Sequence, residues 1–424
     1  KTAEEFPIKD IDYVWNCDWA DHELFGLRTM GTWYVIDNNA NLLACYVRDW
    51  DIPDEWYAAK VDSICRKFLG EPEEHEPFGY YTSQDYSKDS TVVELQHHTV
   101  GNGVGLVFVG EGFTDKDMDD GGVYEQQMQN AVEQFFAEEP YTSLRDRFDI
   151  YIVKAVSPNE EYSSDAVHAI DKNDANAFAY AKKALGENAE HMMVNVIWKN
   201  NDGASLDVNR SYTSIYWDGS YVAYNLQGGR VINHEGGGHG VGLLADEYVE
   251  GGYENAAVGE DMQANMDYMW ETYGFGANVD YRSNPAEVRW ARFLTDERYA
   301  DEALGVYEGA NLVATGCYRP SENSMMRYND CGFNAPSREQ IYKRVMKLSE
   351  GDDWEYDYET FVEFDSPARQ AYSQARSRAR LSGVKTQQKR IESRPPTFNQ
   401  GTWRDAGKCG KASERKPNHS GSTD

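Results

Sequence analysis

The first hundred positions are mixed in pattern and hold one clear hairpin signal, the β-prone runs Thr32 to Ile36 and Leu42 to Val47 around the turn-rich Asp37-Asn38-Asn39-Ala40-Asn41. From Val104 the rhythm changes. Strand-length apolar runs at Val104 to Val109, Phe148 to Val156 and Met192 to Trp198 alternate with helical patterns. In the first of these helices Val123, Tyr124, Met128, Ala131, Val132, Phe135 and Phe136 recur on one face, and Pro140 lies just beyond its end. A second helix is predicted near Ala175 to Leu185. A last one runs over Pro336 to Leu348, where Ser337 and Gln340 have capping-box spacing ahead of Ile341, Val345 and Met346. The reading is an α/β catalytic domain over 100–365, a small N-terminal accessory domain over 1–99 and an extension over 366–424. Glu71 to Glu76 and Tyr80 to Asp89 read as a linker or long loop.

Composition narrows the function classes. Lys and Arg number 41 against 72 Asp and Glu, a formal charge of −31, which repels phosphates and anionic headgroups and argues against wholesale nucleic-acid binding. The extension is an exception, with 13 basic and 4 acidic residues, which leaves 28 against 68 for residues 1–365. It is expected either to pack back on the acidic body or to meet an anionic partner. No apolar run approaches the roughly 18–20 residues of a membrane span. The chain opens without an apolar signal region, which fits an intracellular protein or a processed one. Six cysteines without a C-x-x-C pair exclude a disulfide scaffold or zinc knuckle, although Cys317 and Cys331 share a Gly- and Asn-rich region and could be bridged.

The chemistry concentrates in Asn233-His234-Glu235-Gly236-Gly237-Gly238-His239-Gly240-Val241-Gly242-Leu243-Leu244-Ala245-Asp246-Glu247-Tyr248. Imidazoles and carboxylates are the donor set a catalytic zinc prefers, with three protein ligands and one position left for water. Histidines four apart stand about 40° apart around an α-helix, whereas His234 and His239, five apart, would stand about 140° apart. A π-type turn at Gly236 to Gly238 would return them to one face. Glu235 then sits where a general base meets a metal-bound water. Asp246 is the first candidate for third ligand, and Glu247 the second. The glycine run carries neither a G-x-G-x-x-G spacing nor a G-K-[ST] ending, so phosphate cradling drops out.

The H-E-G-G-G-H-G-x-G-L-L-A-D-E-Y stretch resembles the immunoglobulin A peptidase family of zinc metallopeptidases, secreted or envelope-bound bacterial enzymes related to the metzincin-like zincins. The resemblance covers roughly residues 100 to 350. Val107-Phe108-Val109-Gly110-Glu111-Gly112-Phe113 looks like the family's opening strand and turn, and Glu139-Pro140-Tyr141 like its post-helix segment. Ser324-Met325-Met326-Arg327-Tyr328, preceded by Tyr307-Glu308-Gly309-Ala310 and Tyr318-Arg319-Pro320, is similar to the methionine-containing turn of metzincins. The resemblance implies a zincin catalytic domain and Zn2+ held by His234, His239 and Asp246. It implies Glu235 as general base, Met326 or Met325 as the apolar floor, and Tyr328, with Tyr248 as competitor, as oxyanion stabiliser. It implies a secreted or cell-envelope protease whose signal segment has been removed, acting on protein or peptide substrates such as host glycoproteins. The rivals are a surface protein or glycan binder of the same fold with a non-catalytic site, and an amidase of cell-wall peptide. Neither the cleavage site nor the oligomeric state is written in the motifs.

Overall fold

A computed structural model of the chain describes residues 81–159, 168–199, 210–225, 229–328, 331–371 and 393–406, together with the backbone of strands 32–36 and 42–47. Two compact units are present, Lys1–Gly79 and Tyr80–Asp424. In the first, β1 (Thr32–Ile36) and β2 (Leu42–Val47) pair antiparallel, Trp33 opposite Tyr46, as the hairpin pattern predicts. The connecting residues 37–41 and Glu71 to Glu76 lie outside the described residues.

The second unit is α/β and is built on a mostly parallel seven-stranded sheet. Its strands are β3 (Val92–Gln96), β4 (Val104–Glu111), β5 (Phe148–Val153), β6 (Met193–Trp198), β7 (Tyr212–Tyr216), β8 (Tyr221–Asn225) and β11 (Thr397–Asn399), in the order β11-β7-β8-β6-β4-β5-β3. β4 runs parallel to both β5 and β6, β6 to β8, and β11 to β7, whereas β3 is antiparallel to β5 and β7 to β8. A two-stranded ribbon, β9 (Tyr307–Ala310) and β10 (Val313–Arg319), lies outside this sheet.

Alternation along the central strands explains why these runs are apolar throughout. Leu106 and Phe108 of β4, Ile150 and Ile152 of β5, and Met193 and Ile197 of β6 face one layer, which holds α1 (Val123–Phe136) and the helix of the glycine-rich stretch. Val107, Val109, Val153, Val194 and Val196 face the other, with Phe178 and Ala181 of α2 (Asp174–Leu185) and with Trp403. Strands covered on both faces need apolar side chains at odd and even positions alike. The crossover through α1 takes the chain from β4 to β5 on one face. That through α2 returns it past β4 to β6 on the other, the reversal expected of right-handed connections running in opposite directions.

Several expectations are corrected here. The sheet begins at β3, before residue 100, and Thr82 bridges Asn159, so 82–99 belong to the second unit rather than to the accessory domain, with 82–89 a long loop within it. The basic extension follows its packing-back alternative over residues 393–406, where β11 closes the sheet edge and Trp403 is buried. The last long helix, α3 (Ala335–Glu350), is capped by Asn334, whose side chain accepts from the Ser337 N–H; Ser337 is inside the helix and not its cap. Pro336 sits in the first turn, where its missing N–H costs nothing. Cys317 and Cys331 are not bridged to each other, and burial pushes the Cys317 thiol up to about 12. Among the described residues no helix is long and apolar enough to cross a membrane.

Candidate metal centre

Residues Asn233–Val241 form a π-helix of nine residues, longer than the single widened turn the histidine spacing requires. It packs over β6, β7 and β8, and Asn233 ties its start to the end of α1, its Nδ2 donating to the carbonyls of Gln134 and Phe135 at 3.1 and 2.9 Å. The glycines are needed for close approach as much as for the wide turn. A Cβ on Gly236 would stand 2.1 Å from Asn195 Oδ1, one on Gly238 2.2 Å from Met326 Sδ, and one on Gly240 2.7 Å from the Tyr221 ring. The helix closes through Gly242 N–H to Gly237 O at 2.9 Å and Leu244 N–H to Gly238 O at 3.0 Å, with Leu243 between them at φ +50°. A left-handed leucine costs about 1–2 kcal/mol. The turn it makes aims Leu244 O back at His239.

The widened helix brings the two imidazoles together, ring centroids 4.7 Å apart and nearly perpendicular. His234 Nε2 and His239 Nε2 each lie 3.2 Å from Asp246 Oδ1, and the three side chains are 0–2% exposed. Their other nitrogens are fixed by the main chain, since His234 Nδ1 donates to Met325 O at 3.0 Å and His239 Nδ1 to Leu244 O at 2.8 Å. A carbonyl only accepts, so the Nδ1 atoms carry the hydrogens and the Nε2 lone pairs point at a carboxylate oxygen. None of His234 Nε2, His239 Nε2 and Asp246 Oδ1 has a hydrogen-bond partner. Buried acceptors facing one another call for a cation. Zinc bound tetrahedrally at about 2.0–2.1 Å keeps its ligand atoms about 3.3 Å apart, so this donor set fits it in kind and spacing.

Electrostatics agree. Burial opposes charge on His239, but the Asp246 carboxylate outweighs it and raises the imidazole to about 9; Asp246 is held down to about 2, against its own burial, by His239 and His234. Without metal the cluster therefore takes a proton. A folded pKa above the unfolded 6.5 stabilises fully below pH 6.5, and that contribution is lost as pH rises through about 9. The metal-free protein should thus lose stability across that window, and zinc binding at pH 7.5 should release about one proton. Calorimetry in buffers of different ionisation enthalpy measures the release; a buffer-independent heat would contradict it.

Glu235 is fully buried beside this group. Thr213 of β7 donates its hydroxyl hydrogen toward Glu235 Oε2 at 2.8 Å, also lying 3.0 Å from the Glu235 carbonyl, whereas Glu235 Oε1 has no partner. Glu247, the second candidate for third ligand, is committed elsewhere: it accepts from Ser324 Oγ at 2.6 Å, Asn278 Nδ2 at 2.9 Å and Asn334 Nδ2 at 3.0 Å. It thus joins the methionine turn to the cap of α3, and Asp246 is the carboxylate that meets the histidines. Met325 and Met326 are both buried, and Met326 Sδ lies against Gly238. Of the two tyrosines, Tyr248 is near the centre, its ring 6.4 Å from that of His234 and roughly parallel, and burial with the charges of Asp246 and Glu235 keeps its hydroxyl protonated. Tyr328 is held by its N–H to Ser324 O and by the Arg327 guanidinium over its ring, and no described contact joins it to either histidine.

A second group with metal-like spacing, His97, His98 and Asp149, provides a contrast. His97 is two-thirds exposed, and both Nδ1 atoms are satisfied by Asp149 Oδ1 at 2.9 Å. Nothing there is left orphaned. Sequence reasoning missed Thr213 and Asn195 and gave no role to Tyr141, whose hydroxyl donates to Gly237 O at 2.5 Å; each acts on the π-helix from a separate strand or helix. No protein-family model matches the chain, and no curated protein matches it.

Proposed function

We propose that the chain is a zinc-dependent endopeptidase whose catalytic domain is zincin-like, with zinc held by His234, His239 and Asp246. The observation that carries the reading is the convergence of three unpartnered buried ligand atoms beside a buried carboxylate that keeps one oxygen free. The chemistry such an ion would supply is a bound water whose pKa falls toward about 7 and a polarised scissile carbonyl. Glu235, its orientation fixed by Thr213, would then take up a proton from water and hand it to the leaving amine. Tyr248, protonated and adjacent, donates to the oxygen on which negative charge develops. Extracellular glycoprotein substrates such as immunoglobulin A follow from the sequence resemblance alone, as do secretion or envelope attachment.

A rival reading, a binding protein with a structural ion, draws on one observation: the site residues are 0–2% exposed. Zinc analysis of purified protein and cleavage of an unfolded protein panel, with and without chelator, separate the two. One zinc per chain with chelator-sensitive cleavage is the expected result. Bound zinc with no cleavage of any substrate favours the rival, and absence of zinc binding overturns the site.

A further inference from the structure

The strand that supports Glu235 has an occupied outer edge. β7 pairs with β8 on one side, and its other edge is taken by residues 393–399 of the C-terminal extension. Ser211 bridges Ser393, the Arg394 N–H donates to Ser211 O at 2.7 Å, and Thr397, Phe398 and Asn399 pair with Ser214, Ile215 and Tyr216. This is the strand that holds Glu235 through Thr213. Side chains reinforce the pairing: the Arg394 guanidinium lies 4.7 Å from the Tyr212 ring centroid, and Phe398 packs edge-on against Phe275 at 4.6 Å.

The same segment shares a cavity with one member of the cluster. Pro395, Pro396 and Phe398 line a space of about 250 Å3 together with Asp246 and Phe275. The Tyr248 hydroxyl donates to Ser393 O at 3.4 Å, so the group assigned to the developing oxyanion is engaged by this segment. Strand addition to a sheet edge is how extended peptides are commonly recognised, because main-chain hydrogen bonds give affinity whatever the side chains. The free edge beside Glu235, Tyr248 and the cavity at Asp246 is therefore the berth an extended peptide would use, and residues 393–399 already lie in it.

We propose that residues 393–399 are a self-docked strap, an autoinhibitory occupant of the peptide berth that must leave the β7 edge before a substrate chain can reach Asp246 and Glu235. The proposal rests on the endopeptidase reading for its purpose, but not for its test. Its charge suits reversible docking, since the extension carries a surplus of nine positive charges and the rest of the chain forty negative.

The strap can be locked and loosened. Ser211 and Ser393 are bridge partners on adjacent parallel strands, a separation of about 4.8 Å that a disulfide accepts, so Ser211→Cys with Ser393→Cys gives a redox-reversible lock. Arg394→Ala with Phe398→Ser removes two anchors without touching a ligand or Glu235. In chelator-stripped full-length protein, diethyl pyrocarbonate labelling of His234 and His239, mapped by mass spectrometry, reports access without needing activity. The oxidised lock should label at least about tenfold more slowly than the same protein after reduction, and the loosened variant at least about tenfold faster than wild type. Equal labelling of locked and reduced protein overturns the strap, whatever the cleavage assay shows. Labelling that responds as expected, with no zinc-dependent cleavage by any form, keeps the strap and removes the endopeptidase reading. With both correct, reduction also raises kcat/KM on an unstructured peptide.

Discussion

Glu235→Gln is expected to lower kcat/KM by about 10²–10⁴-fold while one zinc per chain stays bound. The substitution keeps shape and, through its amide oxygen, the contact with Thr213 at 2.8 Å, and it leaves all three ligand atoms untouched. What disappears is a base. An amide cannot take a proton from water, and its NH2 group would meet the position where the unpartnered Oε1 now stands. Zinc quantified on the same samples used for the kinetics makes the result interpretable. Wild-type turnover in the zinc-loaded variant would remove Glu235 from the mechanism; loss of zinc would mean that it supports the ligand set instead.

The second large effect concerns the π-helix. In an exposed helix, replacing glycine by alanine stabilises by about 1 kcal/mol. Gly240→Ala should do the reverse, destabilising by about 1–3 kcal/mol and lowering zinc affinity with it, because three atoms of the Tyr221 ring would lie 2.7–2.8 Å from the new Cβ and that ring is fully buried. Gly238→Ala should be milder. Its nearest obstacle, the Met326 sulfur at 2.2 Å, ends a flexible thioether that can turn aside. Urea melts with and without zinc measure both. A Gly240→Ala protein more stable than wild type would show that helix propensity, and not packing, governs the segment.

How much of this was legible in the sequence depends on where the information resides. β4, β5, β6 and α1 were readable because burial on two faces, or on one helical face, writes itself into hydrophobic period. The cluster of His234, His239 and Asp246, with Glu235 beside it, was readable because all four fall within thirteen consecutive residues. Thr213 was not, since a threonine in a β-prone run looks the same whether it faces a buried carboxylate or a neighbour's methyl group. That Asp246 and not Glu247 meets the two histidines depends on Ser324, Asn278 and Asn334, which are remote in sequence and claim Glu247. Ser337 with Gln340 satisfied the capping pattern, but Asn334 satisfied it too and stands where the chain is still extended. β7 and β8, joined through Trp217-Asp218-Gly219-Ser220, carried an aromatic-rich hairpin signal that was passed over. β11, three residues long and two of them polar, carried almost none.

The Nδ1 hydrogens of His234 and His239 end on the peptide oxygens of residues 325 and 244. No point substitution can delete an amide oxygen, so ligand orientation here is immune to most mutations and hostage to any shift of the two turns that present those oxygens. Drift in metal affinity among variants would then read out backbone displacement near Leu243 and the methionine turn, and positions 244 and 325 would be free to change side chain as long as the trace of the chain is kept.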